Sequence, residues 1–348
     1  MRMKDSSTLE PITAVILKIQ RLSTEDGPGI RSTVFFKGCP LECTWCHNPE
    51  SISPMPQVHW VKNRCIGCKT CLDVCELSAL CLTTDGMQID RSLCTGCLLC
   101  ANACPSTALE ALGKSWGVDE LVTEVLKDRI YFEKSGGGIT ISGGEPTMQA
   151  PFAAAFLREL RERGIHTALD TCGQCPQKNL ANIVEHADLV LYDLKEIDPE
   201  KHRRFTGATN DRILNNLIFV AETMKTSGYP AELWVRTPII PEYTATKENI
   251  DGIGRFIADK LGDIVSHWEL CSFNNLCTHK YEELDLHWAC REFELMSAQE
   301  MAYLSDVAKK SGIDPAIVHV SGATRVSQEE DTSQDGSSLR LVNSDVQT

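Results

Sequence analysis

The stretch GCPLECTWCHNPE, residues 38–50, follows an apolar run and places three cysteines in the spacing C-x3-C-x2-C. They are Cys39, Cys43 and Cys46, and the stretch has no fourth cysteine. Cysteine thiolates are the usual ligands of [4Fe-4S] clusters, and three of them leave one iron of the cluster with an open coordination position. The spacing therefore predicts an iron–sulfur cluster that binds a small molecule at its open iron.

The composition indicates a soluble, globular protein with one large domain and a smaller module, since 42% of the 348 residues are apolar and 24% are charged. We expect a cytoplasmic protein, because the sequence shows neither a secretory signal nor a run of about 18 apolar residues. We also expect a monomer. In the reducing cytosol, 17 cysteines favour metal binding over disulfides. A net charge of -14 disfavours nucleic acids and anionic membranes as partners.

Two further cysteine runs form an internal repeat. Their members are Cys65, Cys68, Cys71, Cys75, Cys94, Cys97, Cys100 and Cys104. The spacing C-x2-C-x2-C-x3-C is typical of two-cluster ferredoxins, in which the fourth cysteine of each run binds the other cluster. We therefore predict two [4Fe-4S] clusters, with Cys104 completing the first set and Cys75 the second. Zinc sites are the alternative. A structural zinc site is complete with four ligands, so it does not explain a fourth cysteine in each run that binds with the other run.

Outside the cysteine runs, the sequence alternates between apolar, β-branched runs and amphipathic helical stretches. The apolar runs lie at residues 13–20, 32–39, 138–145, 166–173, 188–196, 231–240, 267–273 and 317–322. Strands that alternate with helices predict an α/β fold, a parallel sheet covered by helices. Chemistry in such folds gathers at the carboxyl ends of the strands. Polar residues near these ends are Asp170, Thr171, Asp193, Lys195, Arg236 and Asn274.

Several motifs together resemble the glycyl radical enzyme activating enzymes of the radical S-adenosylmethionine (SAM) superfamily. They are DGPGIRSTVFFKGCPLECTWCHNP (26–49), SGGEPTMQ (142–149), ALDTCG (168–173) and LYDLK (191–195). The two cysteine runs lie between the three-cysteine motif and SGGEP. In this respect the sequence is similar to the subgroup of these activating enzymes that carries a ferredoxin-like insert with two clusters.

The resemblance implies both a fold and a reaction. The fold is a partial (β/α)6 barrel formed by residues 1–58 and 111–325, with the ferredoxin-like insert at residues 59–110. The polar, aperiodic residues 326–348 are predicted to be a disordered tail. The reaction is reductive cleavage of SAM at the three-cysteine cluster, followed by abstraction of a hydrogen atom from a backbone glycine of a partner glycyl radical enzyme. A flavodoxin or ferredoxin is implied as the electron donor.

The resemblance also implies a role for each site candidate. The residues expected to contact SAM are Trp45, Gly143, Gly144, Glu145, Asp170, Thr171, Asp193, Lys195 and Asn274. Trp45 is expected near the adenine, the glycines and Glu145 at the methionyl amino group, and Lys195 at the SAM carboxylate, beside a monovalent cation. Catalytic roles are implied for Asp26, Lys195 and Arg236, with Asp26 next to the target glycine and Arg31 as a structural anchor behind it. Asn274 stands where the pyruvate formate-lyase activating enzyme has a histidine, so it is expected to contribute a contact without proton exchange.

Other interpretations fit parts of the sequence. Asp170 and Asp193 could instead cap the helices that follow their strands. Two functions stay open beside that of an activating enzyme. One is a radical SAM maturase that oxidises a peptide side chain, and the other is a non-catalytic electron carrier. The maturase usually has its extra clusters after the barrel, and the carrier needs only residues 60–106. Cysteines that lack a ligand spacing, and are expected to be structural, are Cys172, Cys175, Cys271, Cys277 and Cys290.

Overall fold

The computed structural model describes residues 12–325, so the predicted disordered tail at residues 326–348 lies outside the described residues. The strands are β1 (Thr13–Ser23), β2 (Arg31–Phe36), β3 (Gln57–Trp60), β4 (Leu80–Leu82), β5 (Met87–Ile89), β6 (Leu109–Leu112), β7 (Lys114–Gly117), β8 (Gly138–Gly143), β9 (His166–Thr171), β10 (Leu189–Asp193), β11 (Glu232–Ile239), β12 (Val265–Ser272) and β13 (Val318–Ser321). Each of the eight apolar runs contains a strand, and no predicted end differs from the observed end by more than three residues.

Nine of the strands in residues 12–325 form one sheet, in the order β13-β12-β11-β10-β9-β8-β2-β1-β7. Neighbours from β2 through β8 to β13 pair in parallel, which confirms the predicted α/β fold with a largely parallel sheet. The strand β1 differs from the prediction, because it pairs antiparallel with both β2 and β7. Only the seven residues 24–30 connect β1 to β2, and such a short connection cannot contain the crossover that parallel neighbours need.

The helices are α1 (Thr70–Asp73), α2 (Leu99–Ala103), α3 (Val118–Val125), α4 (Arg129–Ser135), α5 (Ala150–Glu162), α6 (Gln177–Val184), α7 (Pro199–Thr206), α8 (Asp211–Ser227), α9 (Lys247–Phe256), α10 (Thr278–Glu283) and α11 (Ala298–Lys309). The main core contains alternate strand residues such as Val190, Leu233 and Trp268, packed with helical residues such as Phe156 and Ile253. The strand residues between them point to the opposite face, which carries the polar site candidates. No helix among residues 12–325 combines the length and the hydropathy that a membrane span requires.

The segment from β3 to β6 forms a small unit of its own. The strand β3 pairs antiparallel with β6, and β4 pairs antiparallel with β5. The helices α1 and α2 contain Cys71 and Cys100, which are buried together with Val58, Leu80 and Leu109. So small an apolar core supplies little stability by itself.

Candidate active site

The three-cysteine loop, residues 38–50, begins two residues after β2 ends and is held by other parts of the chain. Gly38 has a φ of +96°, a conformation that glycine adopts without strain, and here it turns the chain out of the strand. The backbone bonds of the loop are Gly38 N to Ser51 O (2.8 Å), Cys39 N to Ile52 O (3.0 Å), Glu42 N to Thr206 O (2.9 Å) and Thr44 N to Phe205 O (2.9 Å). The protein thus fixes this loop at its base and at its middle.

The thiols of Cys39, Cys43 and Cys46 are half-buried and lie close enough to influence one another's charge. Burial raises the pKa of Cys43 to about 12, and burial followed by repulsion from Cys43 raises the pKa of Cys46. Hydrogen bonding to Cys172 is the main cause that lowers the pKa of Cys39. Three neighbouring thiols fit the ligand set predicted for an iron–sulfur cluster, because ligation removes the protons that burial otherwise retains.

The helix α10 packs against the three-cysteine loop. The Tyr281 hydroxyl donates to the Cys46 carbonyl at 2.8 Å. The Lys280 ammonium donates to the His47 carbonyl at 2.8 Å and lies 3.0 Å from Glu50 Oε1. Sequence reasoning missed both side chains, because neither has a ligand spacing or a motif, and a long-range packing contact leaves no local signal.

Trp45 and Asn274, both predicted to contact SAM, have partners within the protein. Trp45 is 5% exposed, and its ring centroid lies 6.2 Å from that of Phe205 and 5.9 Å from that of Tyr243. The side-chain oxygen of Asn274 accepts a hydrogen bond from the Leu276 amide at 3.2 Å. Their roles toward SAM stay predictions.

The SGGEP segment crosses the end of β2 next to the three-cysteine loop. Residues larger than glycine would collide with the backbone at both glycine positions. A Cβ on Gly143 would lie 2.4 Å from Phe36 N, and a Cβ on Gly144 would lie 2.2 Å from Gly38 O. The Gly144 amide donates to the Phe36 carbonyl (2.9 Å), and the Glu145 amide donates to the Gly38 carbonyl (2.7 Å). The segment thereby ties the end of β8 to the base of the cysteine loop.

The Glu145 carboxylate is fully buried and bonded within the protein. It accepts hydrogen bonds from the Thr171 hydroxyl at 2.9 and 3.0 Å and from the Cys172 amide at 2.8 Å. The Thr147 hydroxyl donates to it as well, at 2.8 Å. Glu145 and Thr171, both predicted at SAM, therefore also join the end of β8 to the end of β9.

Charged side chains from neighbouring strands form a row at the carboxyl end of the sheet. The Lys195 ammonium lies 2.5 Å from Asp193 Oδ2. Arg236 donates through Nε to Glu269 at 3.0 Å and places Nη1 3.8 Å from Asp170 Oδ1. The sheet register explains this convergence, because Arg236 lies between Asp193 and Glu269 on adjacent strands. The structure thus brings four predicted residues together and adds Glu269, which no motif indicated.

These ionisable groups shift one another's pKa because they are buried. Burial, followed by repulsion from Asp193, raises the pKa of Asp170 to about 7. Burial alone would lower the pKa of Lys195, but attraction from Asp193 and Cys43 raises it above the ordinary value. Lys195 therefore stays cationic at neutral pH and is suited to pairing with a carboxylate.

Asp26 lies in the connection between β1 and β2. Its carboxylate accepts hydrogen bonds from the hydroxyls of Ser23 and Thr33, both at 2.6 Å. Arg31 is fully buried and donates through Nε to the Thr140 hydroxyl at 2.7 Å, which in turn donates to the Asp26 carbonyl at 2.7 Å. Arg31 and Asp26 are thus linked through Thr140, and the predicted place of Asp26 beside the target glycine stays a prediction.

The cysteines of the two runs lie in crossed groups. One cavity is lined by cysteines from both runs, namely Cys65, Cys68, Cys71 and Cys104. After burial, the neighbouring Cys94 and Cys75 raise the pKa of Cys100 to about 11, so the fourth cysteine of the first run lies near the second run. Within residues 12–325, no three His, Cys, Asp or Glu side chains surround the position of a single metal ion. Four thiols around one cavity fit a [4Fe-4S] cluster.

Known proteins share this sequence over most of its length. The profile of the Radical SAM superfamily matches residues 80–250, and that of a 4Fe-4S single cluster domain matches residues 25–73. The chain is 39% identical to the (2S)-3-sulfopropanediol dehydratase activating enzyme of Klebsiella oxytoca, over 81% of this chain and 88% of that protein. It is 38% identical to the trans-4-hydroxy-L-proline dehydratase activating enzyme of Clostridioides difficile, over 87% and 98%. It is 36% identical to the indoleacetate decarboxylase activating enzyme of Tractidigestivibacter scatoligenes, over 87% and 96%.

Matches of this extent decide between the functions that the motifs left open. An electron carrier needs only the two cysteine runs, whereas the shared sequence extends over 87% of this chain and 98% of the Clostridioides difficile activating enzyme. All three of these relatives, at 36% to 39% identity, are activating enzymes. The chain therefore belongs to the radical SAM superfamily, in its group of glycyl radical enzyme activating enzymes.

Proposed function

We propose that the chain activates its partner glycyl radical enzyme with three [4Fe-4S] clusters, one at the three-cysteine loop and two in a ferredoxin-like insert at residues 59–110. The observation that carries this proposal is the crossed arrangement of the insert thiols. Cys104 joins the first three cysteines of the other run around one cavity, while Cys75 lies near Cys100. Exchange of the fourth ligand between two runs is typical of two-cluster ferredoxins.

A [4Fe-4S] cluster held by Cys39, Cys43 and Cys46 would supply one electron that breaks the S–C5′ bond of SAM, releasing methionine and a 5′-deoxyadenosyl radical that would take a hydrogen atom from a glycine of the partner. The residues of this chain bind and orient the reactants. Lys195 pairs with the SAM carboxylate, while Asp193 keeps this lysine cationic and in place. Gly143 and Gly144 allow the backbone that receives the methionyl amino group to lie against the cysteine loop.

The remaining charged residues prepare the same site. Asp170 and Asp193 are proposed to face the SAM ribose and a monovalent cation beside the SAM carboxylate. Arg236 is proposed to act as a positioning residue, because it lies between Asp170 and Glu269 and compensates the charge of both carboxylates. Asp26 is proposed to lie beside the target glycine. A flavodoxin or a ferredoxin is the proposed electron donor, and the activating enzyme is proposed to act as a monomer.

The experiment is anaerobic reconstitution of the chain with iron and sulfide, followed by reduction in the presence of SAM and candidate partners. We expect about twelve irons per chain, formation of 5′-deoxyadenosine and a glycyl radical signal in electron paramagnetic resonance (EPR). Relatives with different partners match to a similar degree, so the panel includes a sulfopropanediol dehydratase, a hydroxyproline dehydratase and an indoleacetate decarboxylase. About four irons per chain would contradict the insert clusters, and absence of 5′-deoxyadenosine would contradict the SAM chemistry.

A further inference from the structure

Cys172 is a buried thiol that the proposed function does not use and that was expected from the sequence to be structural. It follows Thr171 at the end of β9 and is 7% exposed. The thiols of Cys172 and Cys39 share a hydrogen bond, which affects the pKa of each thiol more than burial does. A thiol outside the three-cysteine motif is therefore in direct contact with a predicted cluster ligand.

The other two predicted ligands of this cluster have different surroundings. Burial has the largest effect on the pKa of Cys43 and on that of Cys46. The thiol of Cys46 also has a hydrogen bond with backbone, at Asn48. Of the three predicted ligands, Cys39 is thus the one on which a side-chain hydrogen bond acts most strongly.

Buried hydrogen bonds fix the backbone on both sides of Cys172. Its amide donates to Glu145 Oε2 at 2.8 Å, and the Glu145 amide donates to the Gly38 carbonyl at 2.7 Å. Two hydrogen bonds thereby connect Cys172 to the first residue of the three-cysteine loop. On the other side, the Gly173 carbonyl accepts a hydrogen bond from Asn216 Nδ2 at 2.8 Å. The position of the thiol beside the loop is therefore set by the fold.

Ligation decides which of the two thiols donates the hydrogen bond. A cysteine binds iron as a thiolate, and a thiolate has no proton to donate. Once Cys39 is a ligand, Cys172 has to be the donor. Hydrogen bonds to the sulfurs of an iron–sulfur cluster are one of the factors that set its reduction potential. Because reduction adds negative charge to the cluster, a donor to a ligand sulfur stabilises the reduced form more than the oxidised form.

We infer that Cys172 is a positioning residue that acts through Cys39. Its thiol donates a hydrogen bond to the Cys39 sulfur and raises the reduction potential of the cluster at the three-cysteine loop. This inference rests on the cluster proposed above for that loop. The hydrogen bond makes this cluster easier to reduce, so that a larger fraction of the protein holds the electron that SAM cleavage uses.

Cys175 provides a matched control, because it is a second buried thiol in the same loop with different neighbours. It is 2% exposed and lies three residues after Cys172. Its thiol has a hydrogen bond with the Thr147 side chain and lies 3.8 Å from Asn216 Nδ2. Neither neighbour is a predicted cluster ligand. Replacing Cys175 therefore removes a buried thiol and leaves the hydrogen bond to Cys39 in place.

The test is an EPR-monitored redox titration of the reconstituted protein, in which the signal that changes on addition of SAM identifies the cluster at the three-cysteine loop. At a fixed potential, Cys172→Ala should lower the ratio of reduced to oxidised cluster about two- to ten-fold, the effect of one net hydrogen bond. For a one-electron couple, this change is a shift of about 20–60 mV to more negative potential. Cys172→Ser keeps a donor and should titrate close to the native potential, and so should Cys175→Ala.

Equal potentials in the native protein and Cys172→Ala would overturn the inference. The same negative shift in Cys172→Ser would overturn it as well, because the cause would then be packing and not the donor, and so would the same shift in Cys175→Ala. Iron content checks that each variant keeps its clusters. If Cys172→Ala does not, Cys172→Val, which fills the space without a donor, replaces it with the same expected shift.

Failure of the proposed function gives a different result in the same titration. A native protein whose reduced signal does not respond to SAM would contradict the proposed cluster at the three-cysteine loop and, with it, this inference. A native protein that responds to SAM, together with an unshifted Cys172→Ala, would contradict the inference alone.

Discussion

The three-cysteine loop and the insert hold the same kind of ligand in different surroundings. Cys43 packs against a cluster of aromatic side chains, Cys46 is held by α10, and burial raises the pKa of both thiols. The insert cysteines differ more among themselves, since Cys71 and Cys100 are buried whereas Cys68 and Cys97 are exposed. A reaction with a reactive organic radical requires that water be excluded from the site. The packing around the loop contributes to this exclusion. Exposed ligands are accessible to a protein partner. The contrast supports the proposal that SAM cleavage takes place at the loop and electron exchange at the insert.

Replacing one cysteine in each region has the largest expected effect and could break this comparison. Cys43→Ala should abolish 5′-deoxyadenosine formation with every reductant, because it removes a ligand from the SAM cluster. Cys68→Ala should slow the flavodoxin-driven reaction and leave the dithionite-driven reaction intact. Iron analysis should give about eight irons per chain for each variant, and it also checks that the variant still folds around its other clusters. A Cys68→Ala protein that works equally well with both reductants would exclude a relay.

Lys195→Ala sharpens the description of the buried site. The substitution should weaken SAM binding by about 1.5–3 kcal/mol, the contribution of a charge-assisted hydrogen bond, or roughly 10- to 150-fold in Kd. Equilibrium binding of SAM to the reconstituted protein measures this change. The control is Lys247→Ala at the exposed start of α9, which should bind SAM like the native protein. Unchanged affinity in Lys195→Ala would mean that the lysine serves only its pair with Asp193.

Gly67→Ala and Gly96→Ala compare the two repeats at one matched position. Both glycines have a left-handed φ, so each substitution should cost about 1–2 kcal/mol of stability. Gly96→Ala should cost about 1–3 kcal/mol more, because its Cβ would collide with the Pro56 backbone. Denaturant unfolding of the reconstituted proteins, followed by loss of cluster absorbance, measures the difference. Equal losses would contradict the packing of the second cysteine run, residues 94–104, against the segment at Pro56.

Tyr281→Phe tests whether α10 supports the three-cysteine loop. Loss of the hydroxyl removes the hydrogen bond to the Cys46 carbonyl and should destabilise the protein by about 0.5–1.5 kcal/mol. Anaerobic thermal unfolding of the reconstituted protein measures the change. Tyr303→Phe on α11 is the control, since this side chain is 55% exposed, and it should unfold like the native protein. If both variants unfold alike, packing alone and not this bond holds the helix on the loop.

Local patterns in the sequence were enough to locate eight of the thirteen strands that the structure describes in residues 12–325, and they also gave the cysteine ligand sets, which stay predictions. A strand needs only a short apolar, β-branched run, and the ligand spacing of a cluster is set within about ten residues. For the same reason, the chain could be assigned to a family from motifs that are each less than 25 residues long. The antiparallel pairing of β1 was missed because the alternation of strands and helices was extended to a connection too short for a crossover.

The partners of the site residues depended on the tertiary structure. Tyr281 and Cys46 are 235 residues apart in sequence, and packing of α10 alone brings them into contact. The register of the parallel strands places Glu269 beside Arg236, and the fully buried Glu145 carboxylate bonds to Thr171 because no water is available to satisfy it. The two cysteine runs have the same spacing in sequence, and only the tertiary structure packs Gly96 of the second run against Pro56 while leaving Gly67 of the first run without such a neighbour. Spacing along the chain encodes which atoms can bind a metal, whereas burial and long-range contact decide what those atoms face.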